Sequence, residues 1–249
     1  SGPRKYYGFR VGVRTVTSDA DTADPTEKRG ARTGTNKDAD GNDIIRNKVN
    51  GYEYVGGIFG QSSQSEDTNY YDEIYNTDVN ASYRYAGGYM GSSGWVYPCY
   101  IVGEDLTVTA MAEYAGGLYG YTGSGRYMLV NHVTVSGSDY TSGVYGLYAH
   151  THTNNCLLEN SVISGANYVS GYVGKRYYDI DYSNLGVYNC SITATGNYAG
   201  GIFAQIEPRS IYRCYVSHTD VKAQNYAGGL AAELRCGRVY GCEIGADVT

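Results

Sequence analysis

The sequence predicts an all-β chain, a β-solenoid of about seven turns with an N-terminal β cap, and three observations carry that prediction. One short phrase recurs: EYVGGIFG at 53–60, RYAGGYMG at 84–91, EYAGGLYG at 113–120, DYTSGVYG at 139–146, NYVSGYVG at 167–174, NYAGGIFA at 197–204 and NYAGGLAA at 225–232. Between copies lie short runs that alternate β-branched and polar residues, the pattern of half-buried strands: LTVTA (106–110), HVTVSG (132–137), NSVISG (160–165) and CSITATG (190–196). No stretch offers an amphipathic helical stripe with caps, and a chain with 35 Gly and 30 Tyr is poor in helix formers.

The anchor tyrosines of the phrase are Tyr54, Tyr85, Tyr114, Tyr140, Tyr168, Tyr198 and Tyr226, at spacings of 31, 29, 26, 28, 30 and 28 residues. That interval lies in the range of solenoid repeats. The third residue after each anchor is Gly and the sixth is Gly or Ala. A single unit of this kind cannot bury its apolar face, whereas stacked units can. Neighbouring turns of a solenoid are about 4.8 Å apart, so equivalent residues stack in columns and seven layers span roughly 30–35 Å. Glycine is expected where the chain bends tightly or where two backbones approach closely. Variable lengths between phrases, clearest at 61–74, place insertions in edge loops.

Residues 51–249 form the repeat region and residues 1–50 stand apart from it. GFRVGVRTV (8–16) reads as a strand that closes the open end of the stack, since a solenoid edge needs a cap. The polar stretch after it reads as a long loop. The formal charge of −6 is uneven: residues 1–50 carry a net +3 and residues 51–249 a net −9. An acidic body repels a phosphate backbone, so nucleic acid is not the expected partner. No apolar run reaches membrane-spanning length, so no membrane insertion is expected of this stretch. The chain opens Ser1-Gly2 in place of Met, as a fragment excised from a longer protein would.

The phrase Tyr-[Ala/Val]-Gly-Gly-[Leu/Ile]-x-Gly, followed by a short strand with a [Val/Ile]-x-x-Cys step, resembles the GLUG repeat of bacterial surface proteins. The resemblance covers about 50–249; Ser142 and Ser170 replace the first glycine in two copies. It implies an extracellular or bacterial cell-surface location, in adhesins or beside immunoglobulin-cleaving metallopeptidases, and it implies no defined chemistry.

Candidate chemistry is sparse. Asn36, Asp38 and Asp40, with Gly41, copy the first half of a calcium loop. The twelfth position is Asn47 instead of a bidentate Glu, and a solvated turn accounts for the same residues. Calcium is the one cofactor the sequence suggests. No Cys-x-x-Cys pair with histidine partners occurs, so zinc is not expected. Cys190, Cys214 and Cys242 are expected to share one buried column, with free thiols as the default, and Cys236 with Cys242 is the candidate pair if the chain holds a disulfide. Asn76-Thr77-Asp78 resembles one fragment of a polygalacturonase site, but the paired aspartates, Gly-His-Gly and Arg-x-Lys do not follow. No His-Glu-x-x-His occurs, and no serine, histidine and carboxylate are ordered as a triad.

The expected function is therefore non-catalytic: a tyrosine-rich surface for an extracellular glycan or host protein, or a rigid spacer. The alternative is a β-helix enzyme acting on an acidic polysaccharide, which requires acidic and basic side chains gathered in one groove across three adjacent turns. The anchor tyrosines read as structural. Binding residues are expected among the tyrosines outside that column: Tyr70, Tyr71, Tyr75, Tyr121, Tyr127, Tyr148, Tyr177, Tyr178 and Tyr182. A tyrosine offers a large rigid contact area with a polar tip.

Overall fold

A computed structural model describes residues 10–11, 46–62, 71–93, 100–123, 125–149, 153–176, 180–235 and 237–249. These form an all-β solenoid of about six turns, along which the seven anchor tyrosines stack. Successive rungs pair in parallel and in register. Among the described residues there is no helix, hence none long and apolar enough to cross a membrane.

One turn shows the path. The strand Thr153–Glu159 is followed by a corner at Asn160 and Ser161, then by Val162–Gly165, Asn167–Ser170 and Val173–Arg176. The next turn begins at Asp181–Tyr188, which pairs with the first strand of the turn before it. The alternating runs supply the interior. Val49, Val79, Val108, Val135, Ile163, Ile192, Val221 and Val248 make one aliphatic column through eight rungs. The six inner members are fully buried, each worth about 1.5–3 kcal/mol of transfer free energy.

The corners rest on a local device the sequence hides. Asn76, Asn155, Asn160, Asn189, Arg213, His218 and Gly241 all adopt a left-handed backbone, with φ between 46° and 62°. Each is followed by Thr77, Cys156, Ser161, Cys190, Cys214, Thr219 or Cys242, and the hydroxyl or thiol donates to the carbonyl two residues back. Asparagine tolerates this conformation better than most residues, which explains its place there. The side-chain donor supplies a carbonyl oxygen that the left-handed residue turns away from the ladder.

This device corrects the expected cysteine column. Cys214 and Cys242 are in register, but they continue the column of Met128, Cys156 and Leu185. Cys190 stands in a different column, between Ser161 and Thr219. A Tyr-x-Cys corner occurs at one station of the turn at Cys190 and at another at Cys214 and Cys242, so similar tetrapeptides do not mark equivalent positions. Cys156, Cys190, Cys214 and Cys242 are free thiols; Cys236, the candidate disulfide partner of Cys242, lies outside the described residues. Burial pushes the Cys156, Cys190 and Cys214 thiols up to about 12.

Of the expected N-terminal strand 8–16, the described residues Arg10–Val11 pair in parallel with Glu73 and Ile74. They add to the wall in the same layer as Asn47–Gly56, which pairs further along the same strand. The rest of that segment, and the calcium candidates Asn36, Asp38 and Asp40, lie outside the described residues. Arg46 clips the first rungs, donating to Asp78 and to Thr107 one rung further on.

Candidate binding surface

The recurring phrase builds a face, and its construction starts at the tyrosine. Tyr54, Tyr85, Tyr114, Tyr140 and Tyr168 hold φ between 53° and 65°, a conformation costly for a bulky residue. None of the phrase glycines has a left-handed φ. The left-handed residue breaks the strand's alternation, so two successive side chains leave on the outer side while Ala115, Thr141 or Val169 turns inward. The outer pair is the anchor tyrosine and the residue before it.

The anchor tyrosines form a ribbon along this outer side, in which Tyr85 is buried, Tyr226 exposed and the rest half-buried. The rings of Tyr54, Tyr85, Tyr114, Tyr140, Tyr168, Tyr198 and Tyr226 stack in order at centroid steps of 4.6–5.0 Å, with planes 5–17° apart. Each pair contributes about 0.5–1.5 kcal/mol beyond its buried area. None of the seven hydroxyls is hydrogen-bonded within the described residues, and none is sequestered from solvent. Burial and neighbouring rings and carboxylates raise the phenol pKa at Tyr85, Tyr114 and Tyr140, so these hydroxyls stay protonated donors at neutral pH.

Polar columns rim the ribbon. On one side, Asp139, Asn167, Asn197 and Asn225 form an amide ladder: Asn167 donates to Asp139 at 3.0 Å, Asn197 to Asn167 at 2.8 Å and Asn225 to Asn197 at 2.7 Å. Arg84 continues this side, ion-paired with Glu53 and lying 4.8 Å over Tyr85. On the other side, backbone pairing aligns Tyr121, Leu147 and Lys175, then Gln205 and Glu233. Lys175 lies 4.6 Å over the Tyr168 ring, and Tyr121 meets Tyr85 and Tyr114 edge-on at 5.0 and 5.2 Å. Glu233 accepts hydrogen bonds from Arg235 and Gln205, which hold its pKa below the usual carboxylate value.

The nine expected binding tyrosines do not converge on one site. Tyr121 joins the ribbon. Tyr127 is exposed and stacks on Tyr100 at 4.9 Å, a second short ladder that passes into the Asn155–Asn184 amide pair one and two rungs on. Tyr75 and Tyr182 are buried and cannot serve as contact residues. Tyr75 precedes the left-handed corner at Asn76 and packs inside it. Tyr182 falls in a core column with Ile211, edge-on to Phe203 at 4.8 Å, with Arg176 beside its phenol. Tyr71 and Tyr148 are described in their backbone alone, and Tyr70, Tyr177 and Tyr178 lie outside the described residues. The ribbon itself, taken from the sequence as structural, is the longest tyrosine array on the described surface.

The described residues of the polygalacturonase-like fragment, and Asp72 beside it, make contacts within the fold. Asn76 and Thr77 are buried at a corner, and Asp78 is ion-paired with Arg46. Asp72 accepts a hydrogen bond from Tyr89 inside the core. Among the described residues no three His, Cys, Asp or Glu side chains are grouped to hold a metal ion. One mixed-charge cluster does span three turns. Asp181, Ser210 and Arg238 are in register, and Arg209 grips Asp181 through Nε and Nη2. No protein-family model matches the chain, and neither a curated protein nor a solved structure matches it.

Proposed function

We propose that this chain is a non-catalytic repeat region that binds an extended extracellular glycan laid along the solenoid axis. The observation that carries the reading is the row of seven unbonded phenol hydroxyls at 4.6–5.0 Å steps beside an amide ladder of the same period. A surface with translational repetition is matched by a ligand that also repeats, and an extended polysaccharide presents hydroxyls at similar intervals. The ring faces are covered by their neighbours, so sugars would meet phenol hydroxyls and amides instead of stacking on aromatic faces. A globular host protein would engage only part of such a row, and a plain spacer has no use for solvent-facing hydroxyls. The resemblance of the phrase to GLUG repeats supports an extracellular setting at a bacterial surface.

A binding screen against immobilised extended glycans, with and without calcium, tests the proposal. Retention on at least one linear glycan supports it. Absence of binding to all of them, with binding to host extracellular proteins instead, would replace the glycan with a protein partner.

A second reading, an enzyme acting on an acidic polysaccharide, is favoured by the Asp181–Arg209–Arg238 cluster. Among the described residues the cluster holds one carboxylate, already tied by Arg209 and Ser210, whereas hydrolysis of a glycosidic bond ordinarily uses two. Its composition suits holding a sugar better than cutting one. Release of reducing ends or unsaturated products from a uronic-acid polymer would favour the enzyme.

A further inference from the structure

We propose that Arg238, together with Arg209, Ser210 and Tyr240, forms a subsite for the carboxylate of a uronic-acid residue in an acidic glycan. This takes its ligand class from the glycan-binding reading above but rests on different residues. A hollow of about 370 Å³ is lined by Asp181, Arg209, Ser210, Arg238 and Tyr240. The lining follows from strand alternation. Val239 turns toward the stack's interior columns beneath Ile211, so Arg238 and Tyr240 leave the same outer side, directly over Ser210 and Tyr212.

Each side chain has a distinct part. Asp181 accepts two hydrogen bonds from Arg209 and one from the Ser210 hydroxyl, fixing both in place. Arg238 makes no ion pair among the described residues, so its planar fork is available to a carboxylate in bidentate fashion. Among the described lining residues two guanidiniums face one carboxylate, on a repeat region whose net charge is −9. Tyr240 stacks on Tyr212 at 5.3 Å with planes 5° apart and is 55 % exposed, a ring beside the cations against which the apolar face of a sugar can lie. Asp181 within the same hollow disfavours a bare polyanion and suits a ligand that brings hydroxyls next to its carboxylate. That combination is a uronic acid and not a phosphate or an acidic peptide.

The test is calorimetric titration of the whole chain with a galacturonate tetrasaccharide, beside the neutral galactose tetrasaccharide, inorganic sulfate and a glutamate tetrapeptide. Preference for the uronate of at least tenfold over the neutral sugar, weakened by added salt, is expected. Arg238→Ala should reduce uronate affinity at least tenfold, and Arg238→Lys should recover only part of it because a lysine cannot form the fork. Because Arg238 is exposed, its replacement should leave the unfolding transition unchanged. The ribbon variant Tyr114→Phe/Tyr140→Phe/Tyr168→Phe should retain uronate binding, which separates failure of this subsite from failure of the ribbon. Equal binding by Arg238→Ala, or equal affinity for sulfate, the peptide or the neutral sugar, would overturn the proposal.

Discussion

Gly117 and Gly143, in successive rungs, approach so closely that a Cβ on Gly117 would lie 1.9 Å from the Gly143 carbonyl oxygen. The same contact recurs from Gly57 to Gly88 at 2.2 Å and from Gly201 to Gly229 at 1.9 Å. Two backbones meet here, so neither side can move aside for a methyl group. Gly117→Ala should therefore cost more than about 4 kcal/mol and abolish soluble folding. At Gly245 the nearest atom to an added Cβ is 3.8 Å away, and Gly245→Ala should fold with stability within about 1 kcal/mol of the parent. Urea unfolding followed by far-ultraviolet circular dichroism checks both.

Tyr140 carries a left-handed φ of 56° and stacks on Tyr114 and Tyr168. Tyr140→Ala loses two ring contacts while keeping the backbone cost, and should destabilise by about 2–3 kcal/mol. Tyr140→Gly loses the same contacts but relieves the backbone. It should be more stable than Tyr140→Ala by about 1 kcal/mol, the reverse of the order expected in an ordinary strand. Paired denaturation curves give the sign directly.

The buried thiols of Cys156, Cys190 and Cys214 are raised to about 12 by loss of solvation, from an ordinary value of 9.0. In native protein at pH 8, alkylation mapped by mass spectrometry should mark Cys242 and spare these three. A folded-state pKa above the unfolded one means that the folded chain holds its protons more tightly. The stabilisation is complete below pH about 9 and is lost as pH climbs toward about 12. The urea midpoint should accordingly fall between pH 8 and pH 10.5.

Cys190 closes its corner through a hydrogen bond to the Tyr188 carbonyl, and Ser161 and Thr219 do the same in the adjacent rungs. Cys190→Ser keeps that donor and should unfold within about 1 kcal/mol of the parent. A larger loss would mean that the sulfur's packing, and not its hydrogen bond, holds the corner.

The period of the phrase made the solenoid legible, because every copy keeps glycine at the position where backbones of neighbouring rungs touch. The facing of side chains was not legible. A left-handed residue reverses alternation without changing composition, as at Tyr54, Tyr85, Tyr114, Tyr140 and Tyr168, whose rings face outward. The cysteine column was misread for a related reason: Tyr188-Asn189-Cys190 and Tyr212-Arg213-Cys214 build the same local corner at different stations of the turn. An asparagine followed by Cys, Ser or Thr at the end of an alternating run was the available signal. The Asp181–Arg209–Arg238 cluster assembles only through rung stacking, since its members are about one repeat apart in sequence.

Glycan binding by the Tyr114→Phe/Tyr140→Phe/Tyr168→Phe chain is the most direct measurement of the ribbon's role. Removing three hydroxyls leaves the rings free to stack, so the variant should unfold at the parent's urea concentration. Its affinity for the linear glycan retained by the parent should fall at least roughly tenfold, as expected for the loss of hydrogen bonds worth about 0.5–1.5 kcal/mol each. Unchanged affinity in a variant with an intact fold would contradict a binding role for the ribbon.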